Sequence, residues 1–364
     1  MRIAKPPLAG RSLLFVLLTV GACLLAAWGG EAPAQSEPGF SFAIVQQRAR
    51  QRAATEYRPE PNRLPQFLKS LGYDGYQRIR FRPETGPWEG QSNRFTLQFF
   101  HPGYLYQNPL AIHVVEQGRL TDFQFSPAQF DYGTNQFPKP VPPDLQFAGL
   151  RVLYPLNTAG KQDEAIAFLG ASYFRLIGVG ERYGASARGL AIDTAESTGE
   201  EFPCFVEFWI ERPPRRANRL ELFALLDSPS AAGAYRFLLQ PGEPTVLEVE
   251  GSLFLRKAIR KLGLAPLTSM FLMGTSRTRF IPDFRPQVHD SDGLLIKGNA
   301  GEWLWRPLAN PNKEHHVARW PADGPKGFGL LQRRPCAYLR GTEMHLCEPG
   351  ADGITGTLRL LSPE

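Results

Sequence analysis

Residues 220–255 read LELFALLDSPSAAGAYRFLLQPGEPTVLEVEGSLFL, and this stretch decides the fold class. Three short apolar runs, at 220–228, 234–240 and 245–255, are separated by segments that contain proline and glycine. Runs of this length that are rich in Leu, Val, Phe and Tyr and bounded by turn residues are typical of β-strands. The stretch therefore predicts three successive strands joined by turns.

The same pattern of short apolar runs separated by turn residues extends through most of the chain. Apolar and polar residues alternate in QRIRFRPE at 77–84 and in FTLQFF at 95–100, as they do in strands with one buried face. Further strands are predicted at AIHVVEQ (111–117), LRVLYPL (150–156) and AIAFLGASYFRLIG (165–178). With 33 prolines and 35 glycines between many short strands, the chain is predicted to be mainly β and to fold as a large sandwich.

Few segments have a helical period. Ser41 is predicted to cap a helix in FAIVQQRARQRAA at 42–54, and LPQFLKSLG at 64–72 predicts a second, short helix that Gly72 ends. A third brief helix is predicted in LRKAIRKLG at 255–263. The sequence thus predicts a sandwich with few short helices.

The first 34 residues have the pattern of a secretory signal. Basic residues precede a 16-residue apolar run at 13–28, and Ala32-Pro33-Ala34 supplies small residues for cleavage. The apolar run is short for a membrane span. An alternative reading as a lipoprotein signal would use Cys23, which lies inside the apolar run. We expect a cleaved signal at 1–34 and export to the periplasm.

Charge and cysteine content exclude several classes of function. The formal net charge is +6, and removal of residues 1–34 would leave about +4, without any Lys/Arg-rich block. Nucleic acid is therefore a poor candidate partner. Beyond the signal the cysteines are Cys204, Cys336 and Cys347, of which only the last two are close enough in sequence to suggest a disulfide. No metal-ligand spacing such as CxxC or HExxH occurs, so we expect neither metal nor cofactor.

One segment concentrates acids and indoles. HDSDGLLIKGNAGEWLWRPLANP, at 289–311, contains a histidine, two aspartates, a glutamate and two tryptophans among turn residues. Carboxylates transfer protons and indole rings stack on sugar faces, so the composition favours carbohydrate chemistry. The alternative is an ordinary loop in which the aspartates only cap turns.

Longer strings connect the chain to a family. They are RIRFRPE (78–84), LQFFHPGYLY (97–106), DLQFAGLRVLYPLN (144–157), FLGASYFRLIGVGERYGASARGLAIDT (168–194), EFWIERP (207–213), ALLDSPSAAGAYRF (224–237) and GFGLLQ (327–332). Through these strings, residues 40–332 resemble the periplasmic glucan biosynthesis proteins of the G/D type, which are involved with osmoregulated periplasmic glucans. The resemblance implies a carbohydrate-processing β-sandwich followed by a smaller immunoglobulin-like domain.

The resemblance also sets an expectation for domain organisation. Residues 35–332 would form the glucan-binding or catalytic sandwich, and the immunoglobulin-like domain of the family is expected to be missing. Residues 333–364 lose the strand texture, which predicts an aberrant or disordered tail after a shift of reading frame. The alternative is a short tail held by a disulfide.

Family members are also similar to inverting endo-β-1,2-glucanases, which implies candidate catalytic residues. Asp290 lies at the position of the family's acid, and Asp292 would help to keep it protonated through charge repulsion. Where some relatives carry an aspartate, this chain has Cys204, so a longer water relay to Asp193, Glu200 or Glu201 could serve instead of a direct base. The alternative is a non-catalytic protein that binds the glucan and assists the inner-membrane glucan synthase.

Sugar binding is predicted for aromatic and polar residues in the matching stretches. The candidates for stacking are Trp209, Trp303, Trp305, Tyr173 and Tyr183, and those for hydrogen bonding are Arg175, Arg188, Arg306, Asp292 and Glu302. In WLWRP the two tryptophans share one strand face, which we expect to face the groove. The expected partners are a β-glucan and the synthase, and a homodimer is also allowed.

Overall fold

The computed structural model describes residues 39–88, 93–181, 184–274, 284–285, 287–310, 317–318 and 325–331, and the backbone of the strands at 343–345, 349–350 and 353–361. The predicted signal at 1–34 lies outside the described residues. Within them, no helix is long and apolar enough to cross a membrane.

Strands dominate the described chain, as predicted. The helices are α1 (Phe42–Ala53), α2 (Gln66–Lys69) and α3 (Tyr73–Gln77), with short 3-10 helices at Pro83–Thr85 and Pro127–Gln129. The strands are β1 (Arg80–Phe81), β2 (Thr96–Phe100), β3 (Ala111–Glu116), β4 (Arg119–Asp122), β5 (Phe130–Asp131), β6 (Gly149–Tyr154), β7 (Asp163–Leu169), β8 (Tyr173–Leu176), β9 (Ala185–Arg188), β10 (Ala191–Ile192), β11 (Cys204–Glu211), β12 (Leu220–Asp227), β13 (Ala231–Gln240), β14 (Val246–Leu255), β15 (Leu262–Gly263), β16 (Leu267–Thr268), β17 (Phe271–Met273), β18 (Val288–His289), β19 (Gly293–Lys297), β20 (Trp303–Pro307), β21 (Gly327–Leu331), β22 (Glu343–His345), β23 (Pro349–Gly350) and β24 (Gly353–Leu361).

Two large sheets carry the fold. The nine-stranded sheet has the order β22-β24-β14-β13-β12-β11-β3-β4, with β23 also paired to β24, and the six-stranded sheet has the order β16-β9-β8-β7-β6-β2. Strands β3 and β11 are parallel. A smaller three-stranded sheet has the order β20-β19-β21, and β17 pairs with β18.

Phenylalanine rings fill the space between the two large sheets. Phe168 of β7 lies 4.9 Å from Phe208 and 5.1 Å from Phe237 between ring centroids, and Phe174 of β8 lies 5.5 Å from Phe237. All four side chains are buried. Burial of one such side chain stabilises the fold by about 1.5–3 kcal/mol. These contacts make the two sheets a sandwich, so the predicted fold class is confirmed.

Helix α1 covers the outer face of the nine-stranded sheet. Val45 and Ala49 are fully buried in a cluster with Trp209 and Phe223. The predicted helix is therefore confirmed, and its apolar face packs against this sheet. Ser41 occupies the N-cap position, but its side chain makes no capping hydrogen bond, so that detail of the prediction is wrong.

The predicted helix at 255–263 is also wrong, because tertiary contacts override its weak helical period. The Arg256 guanidinium donates to the carbonyl oxygens of Ser228 (2.5 Å) and Ala231 (3.1 Å), which ties the start of the segment to the turn between β12 and β13. Its last two residues form β15. The second predicted helix is real, but α2 already ends at Lys69, and Gly72 precedes α3, which the sequence did not predict.

Part of the segment 333–364 forms strands. Within it, β24 pairs with β14 over eight residues, from Leu361 opposite Val246 to Ile354 opposite Leu253. The residues GITGTLRLL combine β-branched and apolar side chains, as strands do. This part of the tail therefore extends the nine-stranded sheet.

Candidate functional site

The face of the six-stranded sheet that points away from the core carries a row of polar side chains. Strand alternation places Gln98 on the face opposite to Leu97 and Phe99, which are buried in the core. Register then aligns Gln98 with Arg151, and Arg175 with Ser186, across the sheet. We call six of these side chains the polar ladder: Gln98, Arg151, Glu164, Tyr173, Arg175 and Arg188.

Hydrogen bonds fix one half of the polar ladder. Arg151 donates through Nη2 (2.6 Å) and Nε (3.0 Å) to Oε1 of Gln98. Arg175 Nη2 donates to Glu164 Oε1 at 2.8 Å, while Glu164 Oε2 lies 3.4 Å from Arg151 Nη1. The Arg175 side chain remains 35% exposed, so part of its surface is open to solvent. The result is a preorganised surface with partly exposed cationic donors.

Arg188 is the centre of the other half. Its Nη1 lies 3.1 Å from the Tyr173 hydroxyl and binds Glu200, while Nη2 lies 3.2 Å from Thr194 Oγ1. The guanidinium also lies over the Tyr173 ring, 5.4 Å from its centroid. The structure thus brings together three residues that the sequence predicted for sugar binding: Tyr173, Arg175 and Arg188.

The turn between β7 and β8 connects the polar ladder to Cys204. Gly170 has φ +80° and Ala171 φ +48°, and the Ala171 carbonyl accepts from Phe205 N–H at 3.1 Å. The neighbouring Cys204 thiol accepts from Asn108 Nδ2 at 3.2 Å. Burial, together with the nearby Asp227 carboxylate, raises the pKa of Cys204 to about 11. A thiol held in its neutral form has little basicity to activate water.

Asp290 lies near the edge of the six-stranded sheet that β16 forms. Its Oδ2 accepts from Met270 N–H at 2.9 Å, and its own N–H donates to Met270 O at 2.8 Å. Two residues before Met270, Thr268 is paired with Ser186 of β9. The candidate acid is therefore anchored to the chain that leaves the edge strand of the six-stranded sheet.

Strand register estimates how far Met270, the hydrogen-bond partner of Asp290, lies from Arg188 of the polar ladder. From Met270 to Thr268 and from Ser186 to Arg188 there are two residues each, which together span about 13 Å of strand at 3.3 Å per residue.

Asp193 and Glu201 each accept hydrogen bonds that stabilise the fold. Asp193 Oδ1 accepts from Lys261 N–H at 3.0 Å, beside the β10–β15 pair. Glu201 accepts from Ser230 through both oxygens, from the backbone N–H at 2.9 Å and from the hydroxyl at 2.6 Å. Glu201 thereby holds the turn between β12 and β13. A catalytic role for either carboxylate stays a prediction.

Asp292 forms a buried pair with His289. Its Oδ1 lies 3.1 Å from His289 Nε2, and His289 Nδ1 lies 3.1 Å from the Met273 carbonyl oxygen. Because Asp292 is only 4% exposed, it supports the loop around Asp290 from within. A direct contact between Asp292 and the sugar stays a prediction.

The indole segment forms β20 of the three-stranded sheet. Trp303 is 62% exposed, with Lys297 Nζ 5.2 Å from its ring centroid, whereas Trp305 is half-buried over Gly293. Arg306 and Glu302 are exposed on the same strand and just before it. Leu308 N–H donates to Asp292 O at 2.8 Å, so the far end of β20 lies nearest the aspartates. Trp303 lies about 13 Å along the strand from that end.

Trp209 corrects a sequence prediction. Its side chain has no exposed surface, because Phe40 and His113 stack against it on the outer face of the nine-stranded sheet. Arg48 of α1 lies over the ring at 5.1 Å. Trp209 is a core residue and offers no face to a sugar.

Two other predictions concern Tyr183 and metals. Tyr183, predicted to stack on a sugar, lies outside the described residues. Among the residues that the structure describes, no group of three or more His, Cys, Asp or Glu side chains is arranged to hold a metal ion.

Several residues of this surface were not predicted from the sequence. Gln98, Arg151 and Glu164 belong to the polar ladder, and Tyr104 and Tyr106 lie beside it. The alternation of side chains in β2 and β6 indicates that Gln98 and Arg151 point away from the core. Only the register shows that they meet.

Comparisons with known proteins agree on one family. The model of the family described as "Periplasmic glucan biosynthesis protein, MdoG" matches residues 40–337. The glucans biosynthesis protein G of Ralstonia nicotianae is 48% identical over 302 residues, 83% of this chain and 60% of the relative. The protein of the same name from Pseudomonas paraeruginosa is 48% identical over 338 residues, 88% of this chain and 63% of the relative. The chain thus spans about three fifths of the length of these curated relatives.

Proposed function

The chain belongs to the family of periplasmic glucan biosynthesis proteins, and on that premise we propose that it binds a β-1,2-linked glucan along the polar ladder. Binding would hold the glucan during the maturation of osmoregulated periplasmic glucans, beside the inner-membrane synthase. The proposal includes a periplasmic location reached through the predicted signal at 1–34.

The polar ladder is the observation that carries this proposal. Sugar sites combine a few fixed polar groups with flat apolar surfaces. Arg151 and Arg175 are both held by acceptors within the ladder while keeping part of their surface exposed, so they can donate to hydroxyl groups with little loss of side-chain entropy. Tyr173 adds an aromatic ring at the same surface.

A second candidate function is inverting hydrolysis of the glucan with Asp290 as general acid. The half-buried Asp290 carboxylate, with one oxygen fixed by Met270, favours it. One observation weighs towards binding without rapid cleavage: Cys204, a neutral thiol, stands where some relatives carry a carboxylate. Slow cleavage through a water relay that ends at Asp193 or Glu201 would be compatible with this substitution.

Binding is tested by titrating linear β-1,2-glucan into the full chain in a calorimeter. Arg175→Ala is expected to weaken the affinity about tenfold, because hydrogen bonds to charged groups contribute about 1.5–3 kcal/mol. Arg236→Ala is the matched control, since Arg236 pairs with glutamates on the other sheet in a similar way. Absence of binding by the wild-type chain, or equal effects of the two substitutions, would contradict the proposal.

A further inference from the structure

Four tyrosines pack together beside the polar ladder. The ring centroids of Tyr76 and Tyr106 are 5.3 Å apart, those of Tyr76 and Tyr104 are 6.0 Å apart, and those of Tyr73 and Tyr104 are 6.3 Å apart. We call Tyr73, Tyr76, Tyr104 and Tyr106 the tyrosine platform. The polar ladder contains none of its members.

Tyr104 lies in a strained turn that projects from the surface. Gly103 and Tyr106 exchange two backbone hydrogen bonds of 2.9 Å, which close the turn. Tyr104 has φ +53°, a left-handed conformation that costs a residue with a side chain of this size about 1–3 kcal/mol. Leu105 at the apex is 73% exposed. Strain of this kind is often retained where the presentation of a surface matters.

The members of the tyrosine platform differ in exposure. The Tyr76 hydroxyl donates to the His101 carbonyl oxygen at 2.9 Å, and burial raises its pKa above the ordinary value. Tyr76 is therefore the hydrogen-bonded support of the cluster. Tyr73 is 58% exposed and Tyr104 is half-buried, so these two rings present the accessible surface.

The tyrosine platform is continuous with the polar ladder. A Cβ added at Gly170, in the turn between β7 and β8, would lie 3.4 Å from Tyr106 Cε1, which shows how closely the ring approaches this turn. The turn that the Tyr106 ring approaches leads directly into β8, which carries Tyr173 and Arg175 of the polar ladder. The two surfaces are therefore adjacent at this turn, and one ligand could contact both.

We propose that the tyrosine platform is a second sugar-binding surface, on which a pyranose ring of the same glucan stacks against Tyr73 and Leu105. This inference rests on the proposed function, because the ligand reaches the platform only if it also lies along the polar ladder. Exposed aromatic rings with polar edges suit pyranose faces, which are apolar in the centre and carry hydroxyls at the rim. The site would distinguish long glucans from short ones.

The test compares linear β-1,2-glucan oligosaccharides of increasing length, from the disaccharide upward, by calorimetry on the full chain. For the longest ligands, Tyr73→Ala is expected to weaken affinity about five- to tenfold, and Leu105→Ala to weaken it less. Tyr73→Phe keeps the ring and is expected to retain the affinity. Leu120→Ala, which removes an exposed apolar side chain from β4, is the control and is expected to have no effect.

Arg175→Ala in the same series separates the two proposals. The platform is supported if Tyr73→Ala weakens the affinity for long ligands and does not change the affinity for the shortest ligand whose binding Arg175→Ala weakens. The platform is overturned if Tyr73→Ala and Leu105→Ala bind every length as the wild type does while Arg175→Ala does not. Failure of the wild type to bind any length would instead overturn the proposed function on which the platform rests.

Discussion

Asp290 and Met270 are joined by two hydrogen bonds, one in each direction. The Asp290 N–H donates to the Met270 carbonyl oxygen at 2.8 Å, and the Met270 N–H donates to Asp290 Oδ2 at 2.9 Å. One carboxylate oxygen thus has a structural partner. In the hydrolytic candidate function, the other oxygen would carry the proton to the departing sugar.

This relationship predicts different effects for two substitutions at Asp290. Asp290→Asn keeps an oxygen that accepts from Met270, so the chain is expected to remain as stable as the wild type but to release no oligosaccharides. Asp290→Ala loses the acceptor and is expected to lower the free energy of unfolding by about 1 kcal/mol. Product chromatography and thermal unfolding measure the two effects.

Asp131→Asn is the matched control for Asp290→Asn. Asp131 Oδ1 also accepts from a backbone N–H, that of Gly133 at 2.9 Å, and is remote in sequence from the candidate acid. This variant is expected to keep any product release. Release by Asp290→Asn at the wild-type rate would show that Asp290 is not the acid.

The Arg188–Glu200 pair predicts a stability effect. Both side chains are mostly buried, so Arg188→Met leaves a carboxylate without its guanidinium, and the free energy of unfolding is expected to fall by about 2 kcal/mol. The double variant Arg188→Met/Glu200→Gln should lose less than the sum of the single losses. Chemical denaturation gives the values.

The Arg63–Asp144 pair provides the comparison. Both side chains are largely exposed, so Arg63→Met is expected to change the free energy of unfolding by less than about 1 kcal/mol. Equal losses for Arg188→Met and Arg63→Met would contradict the interpretation of Arg188 as the centre of a fixed cluster.

His113 predicts a pH dependence above about pH 6.5. Burial alone would lower its pKa, but the nearby Glu207 and Asp122 carboxylates, the second of which is hydrogen-bonded to His113, raise the pKa above the ordinary value. Its stabilisation is therefore fully present below about pH 6.5 and is lost as the pH rises through the folded-state pKa. His113→Gln is expected to flatten this decline in the free energy of unfolding.

His101 acts in a separate pH window. Burial lowers the pKa of His101 to about 4, so folding disfavours its protonated form. Its effect is a loss of stability as the pH falls from about 6.5 towards 4. His113→Gln should leave this acidic limb unchanged. If His113→Gln changed the free energy of unfolding only at acidic pH, the assignment of the decline above about pH 6.5 to His113 would be contradicted.

Cys204 predicts slow thiol chemistry. With a pKa of about 11, the thiol is almost entirely protonated at pH 8. Alkylation with iodoacetamide is expected to be at least about tenfold slower in the folded chain than in the same chain unfolded in urea. Mass spectrometry of the peptide that contains Cys204 measures the rate. Equal rates would indicate a thiolate that could take part in chemistry.

Alternation allowed much of the sandwich to be predicted. At β2 and the residue before it, the alternation is confirmed: Phe95, Leu97 and Phe99 share the buried core face, and the polar Gln98 lies on the opposite face. In β11 the pattern is weaker, since α1 covers the second face and both Phe208 and Trp209 are fully buried. Sequence alone could not tell that Trp209 faces a helix.

The site depends on contacts between distant segments, which the sequence does not encode locally. Tyr104 reaches α2 through a hydrogen bond from its N–H to Leu68 O at 3.0 Å, and this contact brings Tyr73 and Tyr104 together. Tyr173 and Arg188 could be selected as candidates from the matching strings. Their pairing became evident only from the β8–β9 register.

Hydrogen–deuterium exchange with and without linear β-1,2-glucan tests the central claim most directly, because it locates the ligand on the full chain. Glucan is expected to slow exchange at β8, β9 and residues 103–106, and to leave β3 and β4 of the other sheet unchanged. Slowed exchange confined to other strands, with β8 and β9 unaffected at saturating glucan, would contradict the placement of the glucan on the polar ladder.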